Sequence, residues 1–183
     1  MNNLKPKFSG DVNVDELWVK IDGQMRYLFA ALDPDTHYLL CTILSQKKDR
    51  KGAKQLFRKL AEVTGHNKIN QTIKIIMSYA LPAYQDAYRS TFIDDPRTKT
   101  VNPSKHVFGA AIRGEIDNNI MERVNNTIRG REKNYRGLNT EETPMLPLFV
   151  AYYNLVREHQ AIGKTPAQAA GIDLKLEKTN GEN

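Results

Sequence analysis

Two acidic residues stand where acids are not expected. Asp15 falls in the alternating run NVDELWVKID, where Asp15, Leu17, Val19 and Ile21 share one face and Glu16, Trp18, Lys20 and Asp22 the other. A carboxylate in register with three aliphatic side chains is costly unless it has a partner, and a metal ion is one such partner. The other reading is a residue at the strand's frayed start, in water or capping a turn. Glu122 is the second, a lone acid on a helical face continued by Asn126, Arg129 and Lys133 at i+4, i+7 and i+11. Such an acid could ligate a divalent cation while the basic residues hold phosphates, as phosphodiester cleavage requires. The competing reading is a solvated face with an ordinary Glu122 to Asn126 pair.

Composition limits what chemistry these acids could serve. The chain has 183 residues, 40% hydrophobic and 26% charged, as expected of one globular domain with a sizeable core. No run reaches the ~20 apolar residues of a membrane span, and MNNLKPKFSG has no secretory apolar stretch. The expectation is a soluble protein of the cytoplasm, associated with the nucleoid and not with a membrane. The single cysteine, Cys41 in YLLCTIL, excludes an internal disulfide and a thiolate zinc cluster, and reads as core packing.

A net charge of +6 favours a polyanionic partner. Lys47, Lys48, Arg50, Lys51, Lys54, Arg58 and Lys59 lie within thirteen residues that contain one acid, Asp49, and nine further basic residues fall between Arg97 and Arg136 against four acids. Two such stretches could meet across a folded surface as a footprint for nucleic acid, or be two solvated helix faces. Charge alone would also suit an RNA-binding protein, although no aromatic-rich RNA motif stands out.

The elements that must position these residues follow from periodicity. Asp22-Gly23 reads as a hairpin turn from the first strand into MRYLFAALD, and Pro34-Asp35 as a turn into HYLLCTILS. Asp49 caps a helix with Ala53, Leu56, Phe57 and Leu60 at i, i+3, i+4 and i+7, ending near Gly65. TIKIIMS reads as a buried fourth strand, Tyr84, Tyr88 and Phe92 as a helix, and HVFGAAI as a fifth strand. A long helix runs from Asn118 to about Tyr135 with an apolar stripe of Ile120, Val124 and Ile128. Pro144 to His159 is apolar nearly all round, predicting a largely buried helix. The order predicts an α/β fold of the ribonuclease H-like kind, a mixed five-stranded sheet with helices on both faces. The predicted organisation is a polar lead over 1–10, a core over 11–172 and a disordered tail over 173–183.

Several segments carry a resemblance. VDELWVKIDGQMRYLFAALD, LSQKKDRKGAKQLFRKL, LPAYQDAY, DNNIMERVNNTIRGREKNYRGL and YYNLVREHQAIGKTPAQAAGI, in that order, resemble the catalytic domain of insertion-sequence transposases with a DDE triad, relatives of retroviral integrases. The most specific parts are NN-x-x-ER followed by R-x-R-x-K-x-x-RG, and YN-x-x-R-x-H with G-x-TPA after it. The resemblance implies cutting and joining of double-stranded DNA at transposon ends, with two Mg²⁺ or Mn²⁺ ions held by three carboxylates, and assembly into multimers such as a homodimer. Asp15 matches the first acid and Glu122 the third; Lys47, Lys48, Arg50, Lys51, Asn126, Arg129, Arg131, Lys133 and Arg136 are the residues expected to hold DNA.

At the second acidic position the sequence departs from the pattern. Where the family has a Thr-Asp-Gly-type turn before LPAY, this chain reads Ser78-Tyr79-Ala80. A phenol is neutral at pH 7, bulky and a poor Mg²⁺ ligand, so Tyr79 removes a charge from the cage. Asp86 could replace it only if its helix turned it toward the sheet; otherwise it is a solvated helix acid. Only fourteen residues precede Asp15, so the expectation is also that the family's N-terminal DNA-recognition region is missing. Arg157 and His159 read as structural, bonding helix to sheet. The reading is therefore a DDE transposase or integrase-like domain with impaired strand cleavage and transfer, and the alternative is a non-catalytic DNA-binding or dimerisation remnant of one.

Overall fold

A computed structural model describes residues 5–67, 69–79, 81–99, 104–108, 119–134 and 144–172. The sheet has the strand order β3-β2-β1-β4-β5, built from β1 (Asp11–Ile21), β2 (Gln24–Leu32), β3 (Leu39–Ser45), β4 (Ile75–Ser78) and β5 (Lys105–Phe108). The first three strands are antiparallel neighbours, while β4 runs parallel to β1 and β5 parallel to β4. The β1–β2 turn is held by Asp22 at φ 47° and Gly23 at φ 73°. Two successive left-handed residues make the tight turn whose twist matches the flanking strands.

Alternation along the strands divides the core into two layers. On one side Val12, Val14, Phe29, Ala31 and Ile76 pack against Leu56, Phe57 and Leu60 of α1 (Arg50–Thr64) and Tyr84 of α2 (Pro82–Tyr88). On the other, Leu17, Val19, Ile21, Leu28 and Leu32 pack against Met121, Val124 and Ile128 of α3 (Asn119–Asn134) and Tyr153 of α4 (Met145–Leu155). The mixed five-stranded sheet with helices on both faces is thus the observed architecture.

Local signals set the helix ends. Asp49 accepts a hydrogen bond from Gly52 N at 3.0 Å at the start of α1, and Gly65 at φ 67° closes it. Inside α1, a Cβ on Gly52 would come within 2.5 Å of Phe29 Cε2, so the missing side chain lets the helix lie close on β2. Beyond α2 the chain winds on through a π-helical turn, Arg89–Ile93, which buries Phe92. A short α5 (Pro166–Ala169) is fixed by a capping box between Thr165 and Gln168.

One expectation is corrected. The helix predicted over Pro144 to His159 stops at Leu155, and it is only partly buried, with Leu148 and Val156 each 59% exposed. It sits over the β3 edge of the sheet, which covers only one side of it; the tie is buried Asn154, whose side chain accepts from Leu39 N (2.9 Å) and donates to Leu39 O (3.0 Å). Within the polar lead, Phe8 packs on the α1 layer and Lys7 N donates to Ala170 O. Of the fifth predicted strand, 109–112 lie outside the described residues, as does the predicted tail over 173–183. No helix among the described residues is long and apolar enough to cross a membrane.

Candidate functional site

Asp15 occupies the α3 side of the sheet, in line with buried Leu17, Val19 and Ile21. Its cross-strand partner is Ala30, whose small side chain leaves room above the strand. The partner the carboxylate needs comes from the helix: Asn125, itself buried, donates from Nδ2 to Asp15 Oδ2 at 2.9 Å. Burial and the neighbouring charge of Glu16 push the Asp15 pKa up from 3.8 to about 6, although hydrogen bonds from the Glu16 backbone N–H and from Asn125, and the charge of Lys48, pull the other way. These partners do not fully compensate the carboxylate for the water it has lost.

Glu122 lies one helical turn before Asn125 and is exposed. It therefore stands on the flank of α3 beside Asp15. Arg129, one turn after Asn125, places its guanidinium over the Trp18 ring at 5.7 Å. Trp18 is 48% exposed, because β4 pairs with β1 only as far as Val14↔Ser78. Arg131 turns to α4 instead and stacks over Tyr152 at 4.3 Å. Asn126 is exposed, Lys133 falls in the last turn of α3, and Arg136 lies outside the described residues.

The same pairing register locates the departure from the acidic pattern. Tyr79 directly follows Ser78, the last β4 residue paired with β1, and is 55% exposed; Ser78 pairs with Val14, the residue before Asp15. Ser78 Oγ lies 2.8 Å from Nε2 of His106 on β5, and burial lowers the His106 pKa to about 4, so the imidazole is neutral. Asp86 does not approach this place: α2 packs with α1 on the opposite side of the sheet, and Asp86 is exposed there. Among the described residues no three His, Cys, Asp or Glu side chains come together as a metal site would require. Two carboxylates and a phenol do not fit a two-ion cage, which draws its charge balance from three acids.

The helices that carry most of the two basic stretches, α1 and α3, pack on opposite faces of the sheet, whereas Arg97, at the start of the second stretch, lies beside the end of α1. α1 carries Arg50, Lys51, Lys54, Arg58 and Lys59 on the side away from α3. Lys48, just before it, reaches the edge of the site, but it is engaged: its Nζ lies 2.5 Å from Glu16 Oε1, and the Glu16 side chain is only 7% exposed. Asp15 and Glu16 are thus adjacent acids on opposite faces, each with its own partner. The Tyr84 hydroxyl sits by Glu16, and burial together with that carboxylate raises its pKa well above 10.

Sequence reasoning overlooked Asn125 and Glu16. Asn125 could have been found, since in NNTIR it precedes Arg129 by one turn and adjoins Val124 of the apolar stripe. Asn13 was overlooked too; it is buried two residues before Asp15 on the same face, with Oδ1 lacking a hydrogen-bond partner among the described residues. Arg157 and His159 do join elements: Arg157 Nη1 donates to Thr127 Oγ1 at 2.5 Å, and His159 packs on Tyr153 at 4.6 Å. They tie the segment after α4 to α3 and to α4 itself, and His159 also packs edge-on against His37 in the β2–β3 turn at 5.8 Å.

The strand order and the helices on both faces of the mixed sheet are those of a ribonuclease H-like domain of the integrase and transposase class. Residues 9–160 match the DDE domain family of the IS240 type, and the chain belongs to that family. Solved structures agree on the fold. The HTLV-2 integrase catalytic core domain in complex with magnesium superposes with a TM-score of 0.62 at 15% identity, covering 92% of this chain and 99% of that one. The simian T-cell lymphotropic virus intasome gives 0.64 at 13% identity, covering 96% of this chain but 58% of its match. The catalytic domain of Mos1 mariner transposase gives 0.52 at 10%, covering 81% and 71%. No curated protein matches the sequence.

Proposed function

We propose that this domain descends from enzymes of metal-dependent DNA strand cleavage and transfer, and that the inherited chemistry is impaired by Tyr79. The observation that supports the reading is that Tyr79 follows Ser78 where the β1–β4 register ends at Val14↔Ser78, one residue before Asp15, while the family resemblance expects an acid at residue 79. In an intact cage three carboxylates would hold Mg²⁺ or Mn²⁺, which lowers the pKa of the attacking hydroxyl or water and stabilises the leaving oxygen. Here Asp15 and Glu122 remain as candidate ligands. Double-stranded DNA is the proposed partner, held by Arg129 beside Asp15, by Asn126 on the outer side of α3, and by Lys47, Arg50 and Lys51 at the start of α1.

A second reading, a non-catalytic DNA-binding or dimerising domain acting at the nucleoid, is favoured by the basic α1 face, which does not depend on the cage. Nicking of supercoiled DNA with Mn²⁺ separates the two. Wild-type protein should nick weakly or not at all, and Tyr79→Asp should raise the rate by an order of magnitude or more, about 10-fold. Full activity in the wild type would overturn impairment. A folded Tyr79→Asp variant that binds DNA yet never nicks would favour the second reading.

A further inference from the structure

The flank of α3 that faces α4 carries a second concave surface. A groove of about 690 Å³ opens there between α3 and the segment following α4, with His37 of the β2–β3 turn at one end. Arg123 and Thr127, one turn apart on α3, line it together with Arg157 and His159. Arg123 is exposed, and neither it nor Arg157 forms an ion pair among the described residues. Arg157 donates one N–H to Thr127, which fixes the guanidinium at the wall and leaves further donors of its fork for a ligand. His159 Nε2 is buried with no hydrogen-bond partner among the described residues.

We propose that this groove binds a phosphate of the DNA backbone between the Arg123 and Arg157 guanidiniums. Paired planar forks on a concave wall are what phosphate oxygens fit best. The acid that lines the groove, Glu158, is exposed and therefore screened by water, so the two arginines set the sign of the local field. Both imidazoles are neutral near pH 7, because burial and the adjacent arginines lower their pKa values, that of His159 to about 4. An anion would relieve that electrostatic crowding. Arg123 stands about 100° around α3 from Glu122, and Asn126, one turn after Glu122, also lines the groove, so a duplex engaging both would cross the exposed side of the helix. The proposal rests on the reading that the domain binds DNA.

The test uses the full chain and two variants outside the metal cage, Arg123→Gln and Glu158→Gln, with circular dichroism confirming the fold. Anisotropy with a ~30 bp duplex across a salt series should show the log–log salt slope falling by about 0.9 in Arg123→Gln, with affinity several-fold weaker at ~0.1 M salt. Glu158→Gln should bind tighter. Inorganic phosphate, titrated against ¹⁵N-labelled protein, should shift the His159 and His37 ring signals in the wild type and not in Arg123→Gln. An unchanged salt slope in folded Arg123→Gln would overturn the proposal. Ring shifts with phosphate but no change in DNA binding would assign the groove to a free anion and equally overturn it. If the wild type binds no duplex at all, the DNA-binding reading itself fails, and the phosphate titration still reports whether the groove holds an anion.

Discussion

Replacing Asp15 by asparagine should stabilise the domain at neutral pH and have no effect in acid. The rise of the Asp15 pKa from 3.8 to about 6 means that the folded protein holds the carboxylate proton more tightly than the unfolded chain does. The group's contribution to stability is therefore fully present below pH 3.8 and is lost as pH rises through about 6. At ~1.4 kcal/mol per pH unit, the loss amounts to about 3 kcal/mol above pH 7. Asparagine cannot ionise, and its Oδ1 can still accept from Asn125 Nδ2. Urea unfolding of wild type and Asp15→Asn between pH 4 and 8 should therefore give curves that coincide near pH 4 and separate by about 2–3 kcal/mol above pH 7, the variant being more stable. A difference that does not change with pH, or a wild type that gains on the variant as pH rises, would refute the argument that the carboxylate is under-compensated.

Two further outcomes follow from the packing. Gly52→Ala improves intrinsic helix propensity by about 1 kcal/mol, yet its methyl would lie 2.5 Å from the Phe29 ring, so thermal unfolding should show net destabilisation of about 1–2 kcal/mol. Asn154→Leu leaves both Leu39 N–H and C=O without the side-chain bonds that hold α4 to β3, and denaturant unfolding should show a loss of about 2–4 kcal/mol.

Much of the scaffold was legible because its signals are local. The Asp22-Gly23 turn, the Asp49 cap, the Gly65 stop and the alternation of β1 each depend on a few consecutive residues, and each stands where periodicity placed it. What was not legible depends on how separated segments meet. The two basic stretches are similar in composition, but α1 and α3 pack on opposite layers, which a count of charges cannot reveal. The apolar α4 looked like a buried helix, yet it lies over an edge strand that covers one side. The capping box of α5 was a local signal that went unread in TPAQ.

At the candidate site the parity of Asp15 was readable and its partner was not. Asn125 belongs to a helix 110 residues away, and nothing near Asp15 announces it. Tyr79 was visible as a departure from a pattern, whereas the β1–β4 register, which ends at Val14↔Ser78, comes from the fold.

The central claim is that residue 79 decides whether the acids form a working cage, and Mn²⁺ affinity tests it most directly. Titration followed by electron paramagnetic resonance on wild type, Tyr79→Asp and Tyr79→Asp with Asp15→Asn should show weak binding in the first, at least about tenfold tighter binding in the second and loss of that gain in the third. Equal affinity in wild type and Tyr79→Asp, with both variants folded, would contradict the account.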